Sequence, residues 1–194
     1  MRLFVAIELE DRVRSCLGNV QTTLARLCEG VRWIPPHQLH LTLKFLGDVA
    51  DQDVAGVAST ITRVVAASAP FAMSGGGCGC FPPGGAVRIV WAGVADSSGV
   101  LERLAGSIDK GLSALGFPTE DRGFSPHVTI GRAREDRSHG RLRAAVGGCS
   151  IKPWQQAVAS VTLMSSVLSR TGPMYAAVHK TTLGSGAELS ERQV

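Results

Sequence analysis

Two stretches of this chain carry the same reactive side chains at the same spacing. Residues 40–47 read HLTLKFLG and residues 127–132 read HVTIGR. Both begin His, apolar, Thr, apolar. In an extended strand, side chains two positions apart share a face. His40 therefore points with Thr42, and His127 with Thr129, while Leu41, Leu43, Val128 and Ile130 turn toward a core. Each strand has a packing face and a working face. Imidazoles titrate near neutrality and suit general acid–base chemistry. Two of them across one cleft can take a proton from water and give one to a leaving oxygen. A neighbouring threonine hydroxyl can hold an anionic oxygen between them. In-line displacement at a phosphodiester fits this set. One such motif arises often by chance, but two in corresponding places mark a functional site.

Other residues near the motifs are less decisive. Arg132 can bind phosphate, but strict alternation puts it on the face opposite His127, so a bulge or a reaching side chain is needed. An ion pair beneath the strand is the competing role. By the same alternation Lys44 shares the face of His40 and meets solvent, and Phe45 belongs to the core. Phe124 can stack on a nucleobase or pack in the core. Pro126 biases Ser125 toward an extended conformation, delivering His127 to the start of its strand. His37 and His40 read as HxxH, but a strand separates those two onto opposite faces. His139 and His179 lack a matching threonine and are read as structural or surface residues. No metal site is expected: Cys78 and Cys80 form only a CxC, with no second close pair. The glycines at 75–77 lack the GK[ST] of a phosphate loop.

The elements that must position these residues follow from periodicity. RLFVAIEL (2–9) predicts a strand. Val13, Leu17, Val20, Leu24 and Leu27 predict a helix, with Gly30 able to close it. VRWIPP is short and extended, and HLTLKFLG is the next main strand. Asp51 can cap a helix with the stripe Val54, Val57, Ala58, Ile61 and Val65. FAMSGGGCGCFPPGG predicts a short strand and then a loop. Ala86–Val94 is a strand, and Leu101, Leu104, Ile108, Leu112 and Leu115 mark a third helix ending at Gly116. The charged span 133–147 predicts a loop with a short helix. AVASVTLMSSVL and MYAAVHKTTL predict two final strands, and the tail from 185 is expected to be disordered. The order predicts an α+β fold, with mixed or antiparallel sheets flanking a central cleft. Each HxT strand follows a strand–helix passage, so the chain reads as one bilobal domain over 1–184 with an internal repeat.

With 194 residues and a hydrophobic fraction of 44%, the chain can bury a core. Its net charge of +4 fits a polyanionic ligand without demanding one. The start, MRLFVAIELEDR, is not a signal peptide, and no apolar run spans a membrane. Five cysteines without a secretory signal point to a reducing cytoplasm and free thiols.

Nearly the whole chain resembles the two-histidine phosphoesterases, and within them the RNA 2′,3′-cyclic phosphodiesterases, also called bacterial and archaeal 2′-5′ RNA ligases. MRLFVAIEL resembles the family's opening strand, and Trp33 followed by HLTLKFLG its first motif. Gly79, Phe81 and Pro82 followed by VRIVWAGV are similar to its middle, GFPTEDRGFSPHVTIGR to its second motif, and VTLMSSVLSRTGPMY to its last strand pair. The resemblance implies two pseudo-symmetric α+β lobes and hydrolysis of a terminal 2′,3′-cyclic phosphate on RNA to a 2′-phosphate. It also implies joining of ends through a 2′-5′ linkage, the same displacement with a ribose hydroxyl in place of water. It implies His40 as proton donor, His127 as proton acceptor, and Thr42 and Thr129 as phosphate ligands. The expected partner is an RNA or nucleotide with a cyclic phosphate end, with no cofactor or metal, and the expected state is a cytoplasmic monomer. A nucleotide-binding module without catalysis, or an enzyme acting on a small cyclic nucleotide, stays open.

Overall fold

The β-branched and apolar run near the N-terminus forms β1 (Arg2–Glu8), whose residues alternate between two covered faces. A computed structural model describes residues 1–120, 123–169 and 172–184, so the expected disordered tail lies outside the described residues. After β1 come α1 (Asp11–Leu27), β2 (Val31–Trp33), β3 (His40–Asp48), α2 (Val54–Ala66), β4 (Phe71–Phe81) and β5 (Ile89–Ala95). Then follow α3 (Val100–Ser113), β6 (His127–Ala133), α4 (Arg141–Gly147), β7 (Trp154–Val158), β8 (Ser160–Ser169) and β9 (Gly172–Thr182). The fold is α+β. One curled sheet runs β7-β4-β5-β6-β3-β1-β8-β9, with β2 added beside β6. Every recorded pairing is antiparallel.

The two halves of the sheet meet at β3 and β6, which share the pairing Leu41↔Val128. Both side chains are fully buried. The helices cross this seam. α1 follows β1, in the β3 half, yet packs against β6, β7 and α4. α3 follows β5, in the β6 half, yet packs against β3, β4 and α2. Their inward stripes match position for position: Val13, Leu17, Val20, Gln21 and Leu24 in α1, and Leu101, Ala105, Ile108, Asp109 and Leu112 in α3. Apolar burial on the helix side binds the halves together, because α1 packs on strands of the opposite half and α3 packs on strands of both.

The glycine run differs from the sequence expectation. β4 continues through it to Phe81 rather than ending in a loop. The glycines serve close packing. A Cβ on Gly75 would lie 2.1 Å from the Trp154 ring, and one on Gly79 would lie 2.1 Å from the Trp91 ring. Each indole occupies the space beside β4 where a side chain is missing. The segment expected as one strand from 157 is divided at Ala159. β7 pairs with β4, whereas β8 pairs with β1, carrying the chain from one half of the sheet to the other.

Candidate active site

The seam brings the two HxT motifs together. In an antiparallel pair, directly opposed residues project to the same side. With Leu41 opposite Val128 and both turned into the core, their neighbours face the other way. The register sets His40 level with Thr129, and Thr42 level with His127. Four reactive groups therefore share one open face, and all four are half-buried.

The two imidazoles are anchored alike. His40 Nδ1 lies 2.8 Å from the Gln38 carbonyl, and His127 Nδ1 lies 2.7 Å from the Ser125 carbonyl. A carbonyl only accepts, so each Nδ1 donates its proton and each Nε2 is left for a ligand. In that tautomer the neutral ring is a base at Nε2, and the protonated ring an acid at the same atom. Aromatic rings flank both. Phe4 and Tyr175 lie 4.8 and 5.2 Å from the His40 ring. Phe81 and Trp91 lie 5.2 and 6.3 Å from the His127 ring. Burial lowers the proton affinity of His40, and the Arg132 charge lowers it further, against a backbone hydrogen bond that raises it. His40 is thus a neutral imidazole at neutral pH.

Just past each threonine the strand bulges, and this reverses the parity. In β3, Thr42 opposes Ala6, but Lys44 opposes Val5 and Phe45 opposes Phe4. In β6, Thr129 opposes Trp91, but Gly131 opposes Val90 and Arg132 opposes Ile89. The extra residue returns the next side chain to the working face. Both alternation-based readings of β3 are corrected: Lys44 is 2% exposed and Phe45 is 62% exposed. Arg132 stands exposed on the face of His127 and Thr129, brought there by the bulge. Its neighbour across β2 is Arg32.

Each bulge is held from below by the polar member of a crossing helix. Gln21 of α1 donates to the carbonyls of Ile34 and Ile130, at 2.6 and 2.8 Å. Lys44 donates to Asp109 of α3 and to the Pro118 carbonyl, at 2.5 and 2.8 Å. Parity counting alone misses Gln21 and Asp109. The signal that finds them is the matched polar position within two otherwise apolar stripes. Glu8 is also missed. It opposes His40 in β1, accepts from Thr162 and Lys180, and is held below the usual carboxylate range chiefly by the Lys180 hydrogen bond. Phe124 is half-buried against the hydrophobic core and is not among the rings that contact either histidine. Among the described residues no three His, Cys, Asp or Glu side chains stand together as a metal would require. Nor is any described helix long and apolar enough to cross a membrane.

A family model described as the 2′-5′ RNA ligase superfamily matches residues 9–169. A curated protein of Archaeoglobus fulgidus, named RNA 2′,3′-cyclic phosphodiesterase, is 35% identical over 176 residues, covering 90% of this chain and 96% of its own length. One of the same name from Thermus thermophilus is 34% identical, covering 94% and 90%. Among solved structures, a Thermus thermophilus protein superposes with a TM-score of 0.78 at 30% identity, over 97% of this chain and all of the other. E. coli LigT complexed with 3′-AMP superposes with a TM-score of 0.73 at 26% identity, over 94% and 97%.

Proposed function

The chain belongs to the 2′-5′ RNA ligase superfamily, and on that premise we propose that it opens the terminal 2′,3′-cyclic phosphate of RNA by metal-independent acid–base catalysis. The similarity to named RNA 2′,3′-cyclic phosphodiesterases supports the activity. The observation that carries the residue assignment is the seam: Leu41↔Val128 turns both HxT pairs to one face. Water attacks phosphorus in line with the departing O3′. His127 Nε2 takes the proton of the water as the new P–O bond forms. His40, protonated at Nε2, gives its proton to O3′ as the P–O3′ bond breaks, leaving a 2′-phosphate. Donor and acceptor roles follow the family resemblance. Thr42 and Thr129 donate to the non-bridging oxygens, and Arg132 neutralises their charge.

The electrostatics of His40 fit this order of events. Burial and Arg132 keep it neutral in the empty site. A phosphate anion offsets the arginine charge and favours the imidazolium, so the acid forms where substrate is bound. The same displacement with a ribose 5′-hydroxyl in place of water gives a 2′-5′ linkage. The catalytic face thus acts on an RNA end that carries a cyclic phosphate, with His40, His127, Thr42, Thr129 and Arg132 as its working residues.

The test is an oligonucleotide ending in a 2′,3′-cyclic phosphate, offered with chelator present, and the product end identified. A 2′-phosphate is expected. His40→Ala and His127→Ala should each lower turnover about 10²–10⁴-fold. Full activity of either variant overturns the mechanism, and loss of wild-type activity in chelator overturns metal independence.

A further inference from the structure

The working face uses none of the five free cysteines. Two of them, Cys78 and Cys80, alternate with Gly79 and Phe81 along β4. Gly79 abuts the Trp91 ring and Phe81 lies 5.2 Å from the His127 ring, so those two belong to the working side. Cys78 and Cys80 therefore turn the other way, toward α4, which packs on β4. Arg143 of α4 donates to the carbonyls of Pro82 and Gly85, at 2.9 and 3.0 Å, and fixes the helix over the end of the strand. Cys149 follows α4 directly, its backbone N–H donating to the Val146 carbonyl at 3.1 Å. This placement sets Cys149 on Cys78, and the two thiols share a hydrogen bond. Both are half-buried against the core, whereas Cys28 and Cys80 lie deeper. Cys149 also lines an open cavity of about 420 Å³ between α1 and the end of α4. Cys16, Asn19, Thr23 and Lys152 share its wall. That volume falls in the range of small-molecule sites.

We propose that Cys78 and Cys149 are a redox-active pair, closed to a reversible disulfide by a small disulfide of the glutathione class that enters through the cavity between α1 and α4. Only a thiolate attacks a disulfide. Burial pushes the Cys78 thiol up to about 12, helped by the charge of a neighbouring Cys149 thiolate and by the hydrogen bond between them. Cys78 thus stays protonated near neutral pH, and Cys149, on the cavity wall, attacks first. Its sulfur bonds to one sulfur of the small disulfide and expels the other half as a thiolate. Cys149 then carries no charge, which removes one cause of the high Cys78 value. Cys78 gives its proton to water, attacks the Cys149 sulfur and expels the second half. The two cysteines are oxidised by loss of two hydrogens, and the small disulfide is reduced to two thiols. A disulfide holds its sulfurs about 2 Å apart, so sulfurs already in hydrogen-bond contact need only a short approach. The bond ties the end of α4 to β4 on the side away from His127, and an excess of small thiol reverses it.

The test incubates the full chain with oxidised glutathione and maps the product by mass spectrometry. Trypsin leaves Cys78 and Cys149 on separate peptides, so a bond between them joins two peptides. The expected product has lost two hydrogens and carries no glutathione at either residue. It yields that joined pair, with fragment ions placing the bond at Cys78 rather than Cys80. Its melting temperature should rise about 4–16 °C over the reduced form, and dithiothreitol should return it. In Cys78→Ser the reaction should stop with glutathione attached to Cys149. In Cys149→Ser no glutathione should reach Cys78. The wild-type peptide map decides the question without either variant. Thiols left unmodified by oxidised glutathione, a bond from Cys149 to Cys80 or Cys16, or glutathione retained on wild-type Cys149 overturns the pair.

Discussion

Replacing Lys44 by methionine tests the bulge on which the working face depends. The Lys44 side chain is 1% exposed, and that of its partner Asp109 is 23% exposed. Removing one member of a buried ion pair costs about 3–5 kcal/mol, chiefly because the other charge is left unpaired. Asp109 keeps some water, so the cost falls at or just below the bottom of that range, roughly 2–3 kcal/mol. For a chain of this length about 2–4 °C of melting temperature accompanies each kcal/mol, giving a drop of about 4–12 °C. Phe45→Ser is the control. Its side chain lies in solvent, so the change should stay near the ±0.5 kcal/mol typical of surface sites. Strict alternation predicts the reverse: a harmless Lys44→Met and a Phe45 substitution costing about 3–5 kcal/mol, as in a core. Thermal unfolding followed by circular dichroism separates the two. Lys44→Met combined with Asp109→Leu should recover much of the loss, because an apolar pair replaces an ionic one. A Lys44→Met protein that melts with the wild type, or a Phe45→Ser protein that melts well below it, refutes the bulge.

Two further outcomes follow from the same geometry. Arg132→Gln should weaken binding of inorganic phosphate about 10–150-fold, from the roughly 1.5–3 kcal/mol of a charged hydrogen bond. The same change should raise the His40 proton affinity in an NMR titration, since the arginine charge now lowers it; phosphate binding at wild-type strength with no change at His40 refutes the placement. The second concerns stability against pH. Burial holds His40 below its ordinary value, whereas in the unfolded chain it titrates near pH 6.5. Below about pH 6.5 the unfolded chain therefore binds more protons, and stability falls as the pH falls toward the lower folded value. Urea unfolding at pH 7 and pH 5 should show a smaller loss in His40→Gln than in the wild type, and equal losses refute the buried neutral imidazole.

Much of the molecule is legible in its residues because those parts are local. The stripes Val13 to Leu24 and Leu101 to Leu112 repeat with helical spacing, and both form helices with those residues buried. His-x-Thr on a strand shows which side chains share a face, whatever that strand pairs with. The glycine run is misread because its meaning is non-local. Gly75 and Gly79 make room for indoles from β7 and β5, and nothing within the run announces them.

Local order alone determined that two strands would each offer an imidazole and a hydroxyl on one side, since alternation is a property of the extended backbone itself. Which further residues join them was settled only by pairing. A bulge is created where two strands and a crossing helix must all be satisfied, and Gln21 and Asp109 meet their strands from distant parts of the chain. One inserted residue in β3 sends Lys44 into the core and brings Phe45 out, and one in β6 brings out Arg132, because a shift of one position exchanges the faces of the side chains that follow it.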